Sequence, residues 1–83
     1  MYANKEDLLT KAKTLLQGEV TSISYNTWIK NIEIDGITNN KITLVAQSKM
    51  QKDALEARFY DLIVNTFNYI TNTSCEITFI EKK

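Results

Sequence analysis

The sequence predicts an α/β (α+β) two-layer sandwich, with elements in the order α-α-β-β-α-β and a three-stranded sheet covered on one face by helices. Three observations lead there. Apolar residues recur at helical spacing over residues 8–16, 25–32 and 55–70. They alternate with polar residues over 32–46 and 75–80. The chain also has no proline and only two glycines, Gly18 and Gly36, so no linker divides its 83 residues. A single domain over residues 1–83 is expected. A chain of that length buries only about 60–65% of its unfolded surface, so nearly every large apolar residue is needed in the core.

The first helix is written in "NKEDLLTKAKTLLQG". Asn4 suits the N-cap, Glu6 and Asp7 suit the positive end of the helix dipole, and Gly18 suits the stop. Leu8, Leu9, Ala12, Leu15 and Leu16 form its apolar stripe. After "EVTS", a short second helix capped by Thr21 or Ser22 runs to about Lys30, with Tyr25, Trp28, Ile29 and Ile32 on one side. Neither helix can bury its stripe alone, so the two are expected to pair as a hairpin. Trp28, the only tryptophan, is expected to close the end of that hairpin against the sheet and the long helix. On that reading Trp28→Ala costs roughly 3–5 kcal/mol.

Two strands follow in "IEIDGITNNKITLVA". Ile32 and Ile34 alternate with Glu33 and Asp35, while Ile42, Leu44 and Ala46 alternate with Thr43 and Val45. Asn39-Asn40 tolerates positive φ and predicts a tight hairpin turn. The longest helix lies in "SKMQKDALEARFYDLIVNTFNYITN", where Ser48 and Gln51 have the spacing of a capping box. Leu55, Phe59, Leu62, Ile63, Thr66, Phe67 and Ile70 make its stripe, and Asn72 is its stop. "CEITFIEKK" predicts the third strand, with Cys75, Ile77 and Phe79 on one face. The expected core thus includes Tyr25, Trp28, Leu55, Phe59 and Phe67.

Composition bears on function mostly by exclusion. There is no histidine, the commonest general acid–base group and transition-metal ligand, and no nucleophile with a histidine base beside it. An enzyme is not expected, nor any cofactor or catalytic residue. Cys75 is the only cysteine, which rules out a disulfide within the chain and a cysteine-based zinc cluster. Ten basic residues balance ten acidic ones, without the excess typical of a dedicated nucleic-acid binder. No apolar run approaches the about 20 residues that span a bilayer. "MYANKEDLL" lacks the basic and apolar regions of a signal peptide, so a cytoplasmic protein without membrane or metal partners is expected.

Order and spacing together carry a family resemblance. "LLTKAKTLLQGEV", "SYNTWIKNI", "ITLVAQSKMQKDALEARFYDLI" and "EITFI" resemble, in succession, the N-terminal domain (domain I) of the bacterial replication initiator DnaA, over about residues 5 to 80. This chain departs from the family pattern at several points. Ala46-Gln47-Ser48-Lys49-Met50 stands where the family commonly has Ala-Pro-Asn-x-Phe. Asp53-Ala54 stands for Asp-Trp, Arg58-Phe59 for Arg-Tyr, and Leu9 for a tryptophan on the first helix.

The resemblance implies a domain that docks other proteins: weak self-association, recruitment of the replicative helicase, and reception of initiation regulators. The partner-binding positions it implies are Ser24 and Thr27 on the second helix and Ser48, Met50 and Gln51 at the start of the long one. The resemblance also implies Leu9 as a self-association residue, but a place in the hairpin core is the preferred reading. Met50 is open to two readings, an exposed apolar anchor or the edge of the core. Ser48 and Gln51 are explained by capping alone. Without the family's aromatic at Leu9, a monomer at micromolar concentration is expected.

Two other functions compete. The predicted layer is KH-like, and small KH-like domains bind single strands. A KH domain, however, clamps its strand with a Gly-x-x-Gly loop, and the glycines here stand alone. Lys49 and Lys52 could make at most weak contact with single-stranded DNA, and their i, i+4 partners Asp53 and Glu56 explain them as surface pairs. The other alternative is a stand-alone regulator that mimics the initiator domain.

Overall fold

A computed structural model describes residues 4–82. Helix α1 (Lys5–Gln17) opens as its sequence dictates: Asn4 is extended, and its side chain accepts a 2.9 Å hydrogen bond from the Asp7 N–H. Leu8, Leu9, Ala12 and Leu16 face inward, and Leu15 remains exposed. Gly18 ends the helix in a right-handed conformation (φ −81°), so the glycine's conformational freedom goes unused. The left-handed stop occurs instead at Asn72 (φ 56°), after the long helix.

Helix α2 covers residues 22–29. Thr21 caps it, its hydroxyl accepting from the Ser24 N–H at 3.1 Å. Its second half, Tyr25–Ile29, is a π-turn closed by a 2.8 Å bond from the Lys30 N–H to the Tyr25 carbonyl. Tyr25 and Ile29 are buried, whereas Trp28 is half-buried: it packs against the core without being enclosed by it. The expectation of Trp28 as a core residue is met only in part, since the residue packs against the core at its boundary.

Strand β1 (Glu33–Thr38) and β2 (Lys41–Ala46) form an antiparallel hairpin about Asn39 (φ 56°) and Asn40. The expected alternation through β1 breaks at a bulge between Ile34 and Gly36. Asp35 is the extra residue, and it lets Ile34 pair with Leu44 and Ile37 with Ile42. Ile32 lies just before the strand and is buried.

Helix α3 runs over residues 49–71 and contains a second π-turn at Leu55–Phe59. Gln51, Leu55, Phe59, Ile63 and Phe67 all face the core at intervals of four. In an ideal helix each such step drifts about 40° around the axis. A π-turn absorbs about one residue, which returns the drifting stripe to the core. Thr66, also buried, donates its hydroxyl to the Leu62 carbonyl at 2.8 Å.

Strand β3 (Glu76–Glu81) lies parallel to β2, giving the sheet order β1-β2-β3 with β2 central. Ile42, Leu44 and Ala46 from β2 and Ile77 and Phe79 from β3 meet the helices on the covered face. The observed order α-α-β-β-α-β and the two-layer build are those predicted. Among the described residues no helix is long and apolar enough to cross a membrane.

Candidate functional site

Four segments meet at one corner of the fold: the end of α2, the start of β1, the end of β2 and the start of α3. Ser48 is extended and caps α3, its hydroxyl accepting from the Gln51 N–H at 3.1 Å. The predicted capping box is completed only halfway. The side-chain Oε1 of Gln51 accepts from the Gln47 N–H at 2.7 Å, one residue earlier than a box requires. The Gln51 amide nitrogen donates to the Trp28 carbonyl at 2.7 Å. The Gln47 side chain donates in turn to the Asn31 carbonyl (2.9 Å) and to the Glu33 carboxylate (3.1 Å). Lys82 reaches the same Glu33 oxygen at 3.1 Å. These two contacts, led by the Lys82 hydrogen bond, hold the Glu33 carboxyl below the usual glutamate range.

This clasp corrects the expectation for Gln51. The residue is 6% exposed and both ends of its amide are engaged within the fold, so what the structure gives it is a positioning role at the corner. Met50, beside it, is 72% exposed and is therefore not core edge. Thr27 and Ser48 are exposed and Ser24 is half-buried. Leu9 takes its preferred place in the core, only 8% exposed, which counts against the self-association role that the resemblance implied. Of the expected core residues, Tyr25, Leu55, Phe59 and Phe67 are buried and Trp28 sits at the boundary.

Two further features of α2 and α3 escaped the reading of the sequence. Ile23, at the start of α2, is 79% exposed. It lies outside the Tyr25/Trp28 stripe, and its offset from that stripe was the available signal. Arg58 lies with its guanidinium carbon 5.8 Å from the Trp28 ring centroid and 5.1 Å from that of Phe59. Its pairing with Trp28 brings α2 and α3 together and has no local sequence signature.

The lysines of α3 are paired within the helix, Lys49 with Asp53 at 2.9 Å and Lys52 with Glu56 at 3.4 Å. Among the described residues no three metal-ligating side chains cluster. A separate apolar depression of about 650 Å³ lies between α1 and the end of α3, with Leu15, Tyr69 and Ile70 among its walls. None of the expected binding residues borders it.

These features define the class: a small α+β domain with a mixed three-stranded sheet, whose exposed residues at one corner stand on a hydrogen-bonded frame. Residues 6–69 match the family model described as the DnaA N-terminal domain. The chain belongs to that family, a component of the machinery that initiates bacterial DNA replication.

Proposed function

We propose that the chain is a non-catalytic docking domain of a replication initiator, which recruits the replicative helicase, receives initiation regulators and self-associates weakly. The docking face comprises Ser24, Thr27, Ser48 and Met50, with Ile23 added. One observation carries this reading: Met50 stands out from the first turn of α3 while its neighbour Gln51 is locked between Trp28 and Gln47. A flexible apolar side chain on a fixed backbone suits an adaptable anchor, because little beyond its own rotamers is ordered on binding. The sequence supports a role without chemistry, since it offers no histidine. With Leu9 packed inward, the free chain is expected to sediment as a monomer at micromolar concentration.

The test is direct binding to purified replicative helicase from the source bacterium. The wild-type chain is expected to bind, and Met50→Glu to weaken binding by at least about ten-fold, as for loss of an interface hot spot. Equal binding by both forms would remove Met50 from the face. Absence of binding by the wild type would remove the helicase as partner.

A further inference from the structure

We propose that Arg58 is the receptor for a carboxylate side chain on the docked protein, so that this face selects an acidic residue lying beside an apolar one. The inference rests on the docking reading and adds the chemistry of the partner.

The guanidinium is already placed. It lies over two rings, Trp28 from α2 and Phe59 from α3, at 5.8 and 5.1 Å. A cation–π contact is electrostatic and consumes none of the guanidinium's N–H hydrogen-bonding capacity toward oxygen acceptors. Among the described residues no carboxylate pairs with it. Asp53 and Glu56 are taken by Lys49 and Lys52, and Asp61, three positions along α3, makes no ion pair with Arg58. Arg58 is thus an exposed fork set beside two rings, and its donors match a carboxylate in a bidentate pair.

Position supplies the apolar half. Met50 lies eight residues before Arg58, with the π-turn widening the helix between them. With about one residue absorbed, eight positions approach two full turns, which brings the two side chains toward one side of α3. A nucleic-acid strand fits this face less well than a protein. Asp53, Glu56 and Asp61 lie along the same helix, the chain carries no net charge, and binding to a polyanion draws on several cations together.

The test uses the full chain and a random twelve-residue peptide library displayed on phage, and so needs no natural partner. Peptides selected on the wild type are expected to carry Asp or Glu next to an aliphatic or aromatic residue. Changing that acid to its amide is expected to weaken binding about ten-fold, as for loss of one charge-assisted bidentate pair. Arg58→Gln is expected to erase the acid-to-amide difference, and Arg58→Lys to restore part of it. Urea titrations confirm that both variants are folded. Peptides without an acid, an acid preference that survives Arg58→Gln, or a library that yields no binder would each overturn the proposal. So would an oligonucleotide that displaces the peptides in an Arg58-dependent way. A helicase that fails to bind would count against the docking partner named above and leave these outcomes readable.

Discussion

The guanidinium of Arg58 lies 5.8 Å from the centre of the Trp28 indole, so the chain's one arginine and one tryptophan hold α3 against α2. The contact bridges two π-turns, Tyr25–Ile29 and Leu55–Phe59. Removing the cation should therefore be felt through the indole. Arg58→Ala is expected to cost about 0.5–1 kcal/mol, the range for an exposed cation–π contact, and to shift Trp28 emission. Urea denaturation followed by fluorescence measures both.

Burial, not size, should rank the aromatic residues. Phe67 is 1% exposed, whereas the larger Trp28 keeps part of its ring in solvent. Phe67→Ala is expected to cost about 3–5 kcal/mol. Trp28→Ala should cost less, because fewer of its contacts are lost. Chemical denaturation of both variants checks the order, and a larger loss at Trp28 would contradict the boundary position of its ring.

Gln51 should behave as a buried tie. Gln51→Ala leaves the Trp28 carbonyl and the Gln47 N–H without partners. Both groups are only part-buried and can turn to water, so the expected loss is about 0.5–1.5 kcal/mol, the net worth of such a hydrogen bond. In hydrogen exchange the Gln47 amide should lose protection first.

Gly18 should be replaceable. Its φ of −81° suits any residue, and an added Cβ would meet only the Leu15 carbonyl oxygen, at an ordinary 3.5 Å. Gly18→Ala is expected to stabilise by about 0.4–1 kcal/mol through the unfolded chain. A lower denaturation midpoint would argue against this backbone.

The Glu33 cluster predicts a weak acid sensitivity. The folded carboxyl is held below its ordinary value by Lys82 and Gln47, so the unfolded chain takes up a proton first as pH falls. The contribution of Glu33 is therefore complete above the usual glutamate value of about 4.3 and is lost as pH drops through the folded value. Carbon-13 carboxyl titration by NMR should place the Glu33 midpoint below that value, and Lys82→Ala should raise it.

Much of the fold could be read from the chain because local periodicity and burial agree. The Leu8–Leu16 stripe, the Asn39-Asn40 turn and the Ile77/Phe79 alternation each state their element within a few residues. What could not be read depends on partners distant in sequence. The parallel docking of β3 on β2 involves pairs such as Ile42 and Ile77, which no local pattern links. The π-turn of α3 was hinted at by the spacing of four from Gln51 to Phe67, but Leu62, Thr66 and Ile70 interleave with it and let the stripe read as that of an ordinary helix. The bulge at Asp35 was written in the three-residue step from Ile34 to Ile37. At the candidate site, Met50 and Gln51 are neighbours with opposite fates. Gln51 continues the inward stripe of Leu55 and Phe59 and there meets the Trp28 carbonyl, while Met50 lies outside that stripe.

The parallel pairing of β2 with β3 also governs how the chain must fold. Lys41 meets Glu76 and Ala46 meets Glu81, so the sheet cannot be completed until the whole intervening helix has bridged them. Such non-local closure slows folding relative to a helical bundle of similar size. The α1–α2 pair and the first hairpin can assemble early, with the third strand closing last. A nascent chain that has not yet released residues 76–81 from the ribosome would present β2 as an open, pairing-competent edge, and its exposure to misassociation would end only when that last strand arrives.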